Sequence, residues 1–175
     1  SSITLKSNNL HGSLPSELSG LTKIRYLSLQ KNHITGTIPD SFGNLTNITD
    51  MYMGDNFLSG NIPSTFMNLR NLERIDLSAN SLSGEFPTAM TSLSSLRGLW
   101  LDDNSFHSNI PEEIGNMASI RTIRLDNNNF SGTIPSTIAQ LTSLQSLYLN
   151  RNSLNGTIPA SLGNLTNLGK FYCMR

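Results

Sequence analysis

Three histidines, His11, His33 and His107, are the residues from which acid–base or metal chemistry would first be assembled. His11 and His107 share one phase of a 24-residue spacing but stand four periods apart, ~19 Å if each period adds one strand, and His33 falls at another phase. They form neither a dyad nor a metal trio, and no G-x-S-x-G, H-E-x-x-H or phosphate-binding glycine loop is present. The carboxylates Asp55, Asp76, Asp102, Asp103 and Asp126 are the remaining acid–base candidates, with Arg74, Arg97, Arg121 and Arg124 at neighbouring phases. On an open surface without a water-excluding cleft, that mixture suits recognition of a basic or amine-bearing group better than catalysis or a Ca²⁺ site. No enzyme activity, metal or cofactor is expected.

The elements that must position these groups come from the period itself. Asparagine recurs at Asn8, Asn32, Asn56, Asn80, Asn104, Asn128 and Asn152, and all seven prolines lie seven residues further on. Before each Asn, apolar and polar residues alternate, as in Leu144, Ser146, Leu147, Tyr148 and Leu149, which predicts a short strand buried on one face. Equivalent strands return in the same sense, so they pair in parallel ~4.8 Å apart, and eight of them form a sheet roughly 35 Å wide. The asparagine amide is suited to satisfy turn backbone that would otherwise be buried without partners, giving a ladder from coil to coil. Gly12, Gly36, Gly60, Gly84, Gly132 and Gly156 follow where positive φ or close approach is needed, and Ser108 interrupts that column. Proline then turns the chain into a segment long enough for only a short 3₁₀ or α turn.

Stacking in register turns strand residues into outward columns. One runs Thr4, Ser28, Tyr52, Asp76, Trp100, Arg124, Tyr148, Tyr172; its neighbour runs Ser2, Tyr26, Asp50, Arg74, Gly98, Thr122, Ser146, Lys170. A third contains Lys6, Gln30, Gly54, Ser78, Asp102, Asp126, Asn150 and Met174, bordered by a fourth that ends at Arg175. Large aromatics and arginine dominate interface energetics, so the expected ligand-binding residues are Tyr26, Tyr52, Arg74, Asp76, Trp100, Asp102, Arg124, Asp126, Tyr148 and Tyr172. Gly54 and Gly98 are expected to leave shallow pockets beside Tyr52 and Trp100, with Arg124 stacking on Trp100 in the plainer, purely structural reading.

Composition narrows the partners. Lys plus Arg equals Asp plus Glu at 12 each, without like-charge blocks, which argues against nucleic acid or an anionic membrane. No apolar run has the ~18 residues of a membrane span. Cys173 has no partner for an internal disulfide and falls at a core-facing position. Asn44, Asn47, Asn129, Asn155 and Asn164 begin N-x-[ST] sequons, acceptors for glycans if the chain enters a secretory route. A single domain over residues 1–175 is expected, seven 24-residue repeats and part of an eighth, and the uncapped ends suggest a fragment.

The segments NSLNGTIPASLGNLTNL, NHITGTIPDSFGNLTNI and NNFSGTIPSTIAQLTSL resemble the plant-type leucine-rich repeat, with the pattern LxxLxLxxNxLxGxIPxxLxxLxx along the whole chain. Similar repeats occur in plant receptor-kinase ectodomains, polygalacturonase-inhibiting proteins and surface proteins of algae and other protists. The resemblance implies an α/β solenoid: a right-handed superhelix with a parallel β-sheet on the concave face and short 3₁₀ or irregular segments on the convex face. It also implies extracellular or cell-surface recognition. Taken with the columns, it points to a non-catalytic module binding a protein or peptide through the concave face. The alternatives are a structural, wall-associated array that contacts a glycan or wall component, and a soluble inhibitor of a secreted glycanase. Ice binding is disfavoured, because Asn61, Glu85 and Asn109 interrupt the threonine row of Thr37, Thr133 and Thr157.

Overall fold

The computed structural model describes residues 1–173. Eight three-residue strands form one parallel sheet: Ser2–Thr4, Tyr26–Ser28, Asp50–Tyr52, Arg74–Asp76, Gly98–Trp100, Thr122–Arg124, Ser146–Tyr148 and Lys170–Tyr172. We call it the front sheet. Its register joins each residue to the one 24 further on, as in Tyr52 to Asp76 to Trp100 to Arg124 to Tyr148. The central residue of each strand points inward; Met51, Ile75, Leu99, Ile123 and Leu147 are fully buried. Alternation along a strand therefore leaves the flanking residues facing out.

A second parallel sheet of seven strands runs behind it, from His11–Ser13 through His33–Thr37, Phe57–Gly60, Ser81–Gly84, Ser105–Asn109 and Asn129–Gly132 to Ser153–Leu154. Here partners are 22 residues apart, as in Thr35 with Phe57 and Ser131 with Ser153. Each strand thus advances by two residues relative to the front sheet. An even step keeps every side chain on its own face.

Between the sheets the chain turns twice. Ser7, Lys31, Asp55, Ala79, Asp103, Asn127 and Arg151 hold φ between 49 and 57°, one at the end of every front strand but the last described. The asparagine that follows repairs the turn. Asn56 donates Nδ2 hydrogens to the carbonyls of Met53 and Gly54 in its own coil and of Leu29 one coil back, at 3.1, 3.2 and 3.0 Å, while its Oδ1 accepts from the Ile34 amide at 3.1 Å. Asn32, Asn80, Asn104 and Asn128 repeat that set. The ladder expected from the spacing is present, and it fastens coil to coil. Ser108 takes φ 75° where six equivalents are glycine, so its column is interrupted in residue type and not in conformation.

After each proline comes a five-residue 3₁₀ helix, the first at Ser16–Gly20 and the last at Ala160–Asn164; none of the described residues is α-helical. Proline stands just outside the helix, where its missing amide costs nothing. The core between the layers is one continuous cluster. Phe42, Phe66, Phe106 and Phe130 are fully buried within it, and the last two stack with ring centres 6.2 Å apart. Cys173 packs against the far end of this core, partly buried, as its phase implies.

Candidate functional site

The outward columns of the front sheet bring together the residues that the period assigns to them. Tyr52, Asp76, Trp100, Arg124, Tyr148 and Tyr172 are consecutive partners in one row, and Tyr26, Asp50, Arg74 and Gly98 in the next. Met174 and Arg175, which end two of the expected columns, lie outside the described residues. Within the wall the side chains divide into two clusters.

In the first, Tyr26 and Tyr52 meet with centroids 5.6 Å apart at 50°. Asp50 is their hub: it accepts from Arg74 Nη1 at 2.9 Å, from the Tyr52 hydroxyl at 3.2 Å and from Thr49 Oγ1 at 2.8 Å. Burial of the phenol, then the adjacent Asp50 charge and hydrogen bond, push Tyr52 up to about 12. The same pairing holds the Arg74 guanidinium above its ordinary value. Asp50 was not among the expected ligand-binding residues; its place between Tyr26 and Arg74 in their column was the signal for it.

Asp76 belongs to neither cluster. It accepts from Ser78 Oγ at 2.6 Å and from Gln30 Nε2 at 2.9 Å, the glutamine reaching across the intervening coil over Gly54. A β-carbon on Gly54 would press on Asp76 Oδ1 at 2.8 Å and Ser78 Oγ at 3.0 Å. The expected shallow pocket at Gly54 is therefore closed by this bridge. The gap at Gly98 is closed as well, because the Trp100 indole folds back over it. Both glycines serve close approach of a side chain rather than a cavity.

The second cluster centres on Arg124. Its Nη2 lies 3.0 Å from Asp102 Oδ2 and 3.3 Å from Asp126 Oδ2, and Nε donates to Asp126 Oδ1 at 3.3 Å. The guanidinium carbon sits 5.0 Å from the Tyr148 ring centre, and Tyr148 stacks on Tyr172 at 4.9 Å and 10°. The stacking partner of Arg124 is thus Tyr148, where Trp100 was expected. Asp102 and Asp126 are buried, with side chains only 6% exposed, so neither is the open contact residue that its column suggests. Burial pushes the Asp102 carboxyl up to about 6 against the opposing pull of Arg124, with Asp126 and Asp103 adding to the rise. Its Oδ1 has no hydrogen-bond partner. Asp55 and Asp103 occupy the exposed left-handed turns instead, and Arg97 pairs with Glu73 at 3.4 Å. The five carboxylates do not assemble into one patch.

The protein-family description "leucine rich repeat" matches residues 54–106 and 116–172, and a second such description matches 23–45. The chain belongs to the leucine-rich repeat family. Among solved structures it is similar to the plant peptide hormone receptor RGFR1 in complex with RGF2, with a TM-score of 0.97 and 36% identity over 99% of this chain and 28% of that one. The ectodomain of the plant membrane receptor kinase GASSHO1/SCHENGEN3 from Arabidopsis thaliana, in complex with CASPARIAN STRIP INTEGRITY FACTOR 2, gives 0.94 and 39% over 98% and 20%. A plant ice-binding protein gives 0.90 and 27% over 98% and 56%. This leucine-rich repeat chain therefore spans less than a third of the two receptor chains it matches. No curated protein matches the sequence.

Two further features of the repeat stack bear on what it can contact. The sequons at Asn44, Asn47, Asn129, Asn155 and Asn164 are all exposed and all lie off the front wall, on the 3₁₀ turns, their exits or the second sheet. No described helix is long and apolar enough to cross a membrane.

Proposed function

We propose that this leucine-rich repeat segment is a non-catalytic recognition module, working outside the cell or at its surface, that binds a peptide or protein along the front wall. The observation that carries the reading is the unbroken row Tyr52, Asp76, Trp100, Arg124, Tyr148, Tyr172, six side chains from six consecutive coils on one outward face. The residues in it are held before any partner arrives: Arg124 by Asp102, Asp126 and Tyr148, and Trp100 by Gly98. Such preorganisation lowers the ordering cost of binding. The similar plant peptide hormone receptor RGFR1 is in complex with RGF2, and the similar receptor-kinase ectodomain with CASPARIAN STRIP INTEGRITY FACTOR 2, which supports a peptide or protein ligand here. The exposed sequons leave this wall clear and would carry glycans on the remaining surfaces. The test is selection from a displayed peptide library on the purified chain. Enriched peptides should bind Trp100→Ala/Tyr148→Ala at least tenfold more weakly with little change in melting temperature, and unchanged binding by that variant rejects the wall.

A second reading is favoured by the other sheet. The outward residues of its strands, among them His33, Thr35, Thr37, Phe57, Ser59, Ser81, Ser105, Asn129 and Ser131, carry no formal charge, and Glu85 only borders them. Phe57 is 55% exposed and stacks with His33 at 5.9 Å. An uncharged, hydroxyl-rich sheet with an aromatic step suits a neutral polysaccharide of a wall. Co-sedimentation with insoluble polysaccharides, lost in Phe57→Ala, supports this face as a contact; no co-sedimentation removes it, and thermal hysteresis would assign it to ice instead.

A further inference from the structure

We infer that Asp102 and Asp126 form a cation subsite on the front wall, taking an ammonium or guanidinium group of the ligand alongside Arg124. This rests on the reading of the front wall as the docking face and specifies which ligand chemistry that face selects.

The two carboxylates come from adjacent coils and share a single guanidinium. Arg124 gives Asp126 a two-bond fork, Nε to Oδ1 and Nη2 to Oδ2 at 3.3 Å each, and reaches Asp102 only through that same Nη2, at 3.0 Å to Oδ2, so Asp102 is the acid left short of donors. Every side-chain donor to this pair belongs to Arg124, and one oxygen, Asp102 Oδ1, remains buried with no hydrogen-bond partner. Two buried carboxylates, Asp102 and Asp126, stand against the single guanidinium of Arg124, with Asp103 exposed in the adjoining turn, so the site carries an excess of negative charge. A buried, unpartnered carboxylate oxygen is costly, and the coil scaffold does not demand one: the same column holds Ser78 and Asn150 in other coils. The missing component is a hydrogen-bond donor carrying positive charge.

The surroundings favour the same class. The Tyr148 ring, itself stacked on Tyr172, already holds the Arg124 guanidinium, which shows that this part of the wall accommodates a cation. Asp76 in the preceding coil is satisfied by Gln30 and Ser78 and does not compete for the donor. Arg124 is 35% exposed and reaches the site along the surface, so it can retain Asp126 while its contact with Asp102 yields to the incoming group. The raised proton affinity of Asp102 gives the subsite a pH dependence, with capture weakened where this carboxyl is protonated. A carboxylate or sulfate ligand group, in contrast, would meet two buried acids.

The test uses small cations as probes and needs no natural ligand. Ethylammonium chloride and arginine amide are titrated into the isotope-labelled chain at constant chloride and pH 7.5, following the Asp102 carboxyl carbon and the Arg124 Nε–H by NMR. Expected are saturable shifts at both groups, at least tenfold weaker in Asp102→Asn and in Asp102→Ser, and weaker again for wild type at pH 5. Shifts that stay linear and match those of sodium chloride overturn the subsite, as does equal saturation in either variant. Because the peptide selection with Trp100→Ala/Tyr148→Ala reads the wall separately, the subsite can fail while the wall stands, and the reverse.

Discussion

The Trp100 indole lies folded back over Gly98, two residues before it, so closely that a β-carbon at 98 would collide with Cζ3 and Cη2. The glycine and the tryptophan are one device: the first makes the room that fixes the rotamer of the second. Gly98→Ala should expel the ring at a cost of ~1–3 kcal/mol from overpacking. Trp100 is the single tryptophan, so its fluorescence reports the change directly, with emission moving to longer wavelength as the ring enters water. An unshifted spectrum would mean that the ring does not depend on the gap.

Ser108 offers the opposite experiment. It holds φ 75° where its six counterparts are glycines, a left-handed conformation that costs an ordinary residue ~1–2 kcal/mol. Its one side-chain contact, to Glu85 Oε1 at 3.5 Å, is too long to compensate. Ser108→Gly should raise the melting temperature by a few degrees. A lowered value in calorimetry would show that the serine contributes something other than strain.

Asn56→Ala removes from the ladder one NH₂ group shared among three carbonyls and one acceptor, leaving the Ile34 amide without its partner while the Leu29 carbonyl keeps Asn32. One stranded buried amide costs ~1–3 kcal/mol and the carbonyls keep other donors, so urea unfolding should show a loss of ~1–3 kcal/mol. A loss under ~1 kcal/mol would reduce the ladder to decoration.

Asp102 should leave a mark on the pH dependence of stability. Its carboxyl is pushed from 3.8 to about 6 by burial, so the folded chain binds this proton more tightly than the unfolded one. The sign follows: the contribution favours folding fully below pH ~4 and is lost as pH rises through about 6, a swing of ~2–3 kcal/mol at most. Asp102→Asn should flatten that limb in melts taken between pH 4 and 7. Superimposable profiles would place the source elsewhere.

Most of this architecture was legible because the period is a whole number of residues and the front sheet pairs with that same 24-residue step, so Tyr52, Trp100, Arg124 and Tyr148 can be put in one row by counting. The asparagine ladder was legible for a similar reason, since one side-chain chemistry recurs where each strand ends. Side-chain direction was not. Trp100 turning to Gly98 and Arg124 to Tyr148 are rotamer choices among neighbours that a column lists without ranking. The Gln30 to Asp76 bond links residues 46 apart across a coil whose glycine permits it, a relation that no single repeat contains. The burial of Asp102 and Asp126 escaped because they sit beyond the last paired residue of their strands, where Arg124 covers them and simple alternation no longer decides exposure.

Each ladder asparagine binds backward, to a carbonyl 27 residues earlier and an amide 22 earlier, and never forward. Every coil accordingly carries its own fastener and needs from its predecessor only main-chain groups that any sequence supplies. Whole units can be inserted, lost or exchanged during evolution without redesigning the joint, while the outward side chains remain free to drift toward whatever they meet.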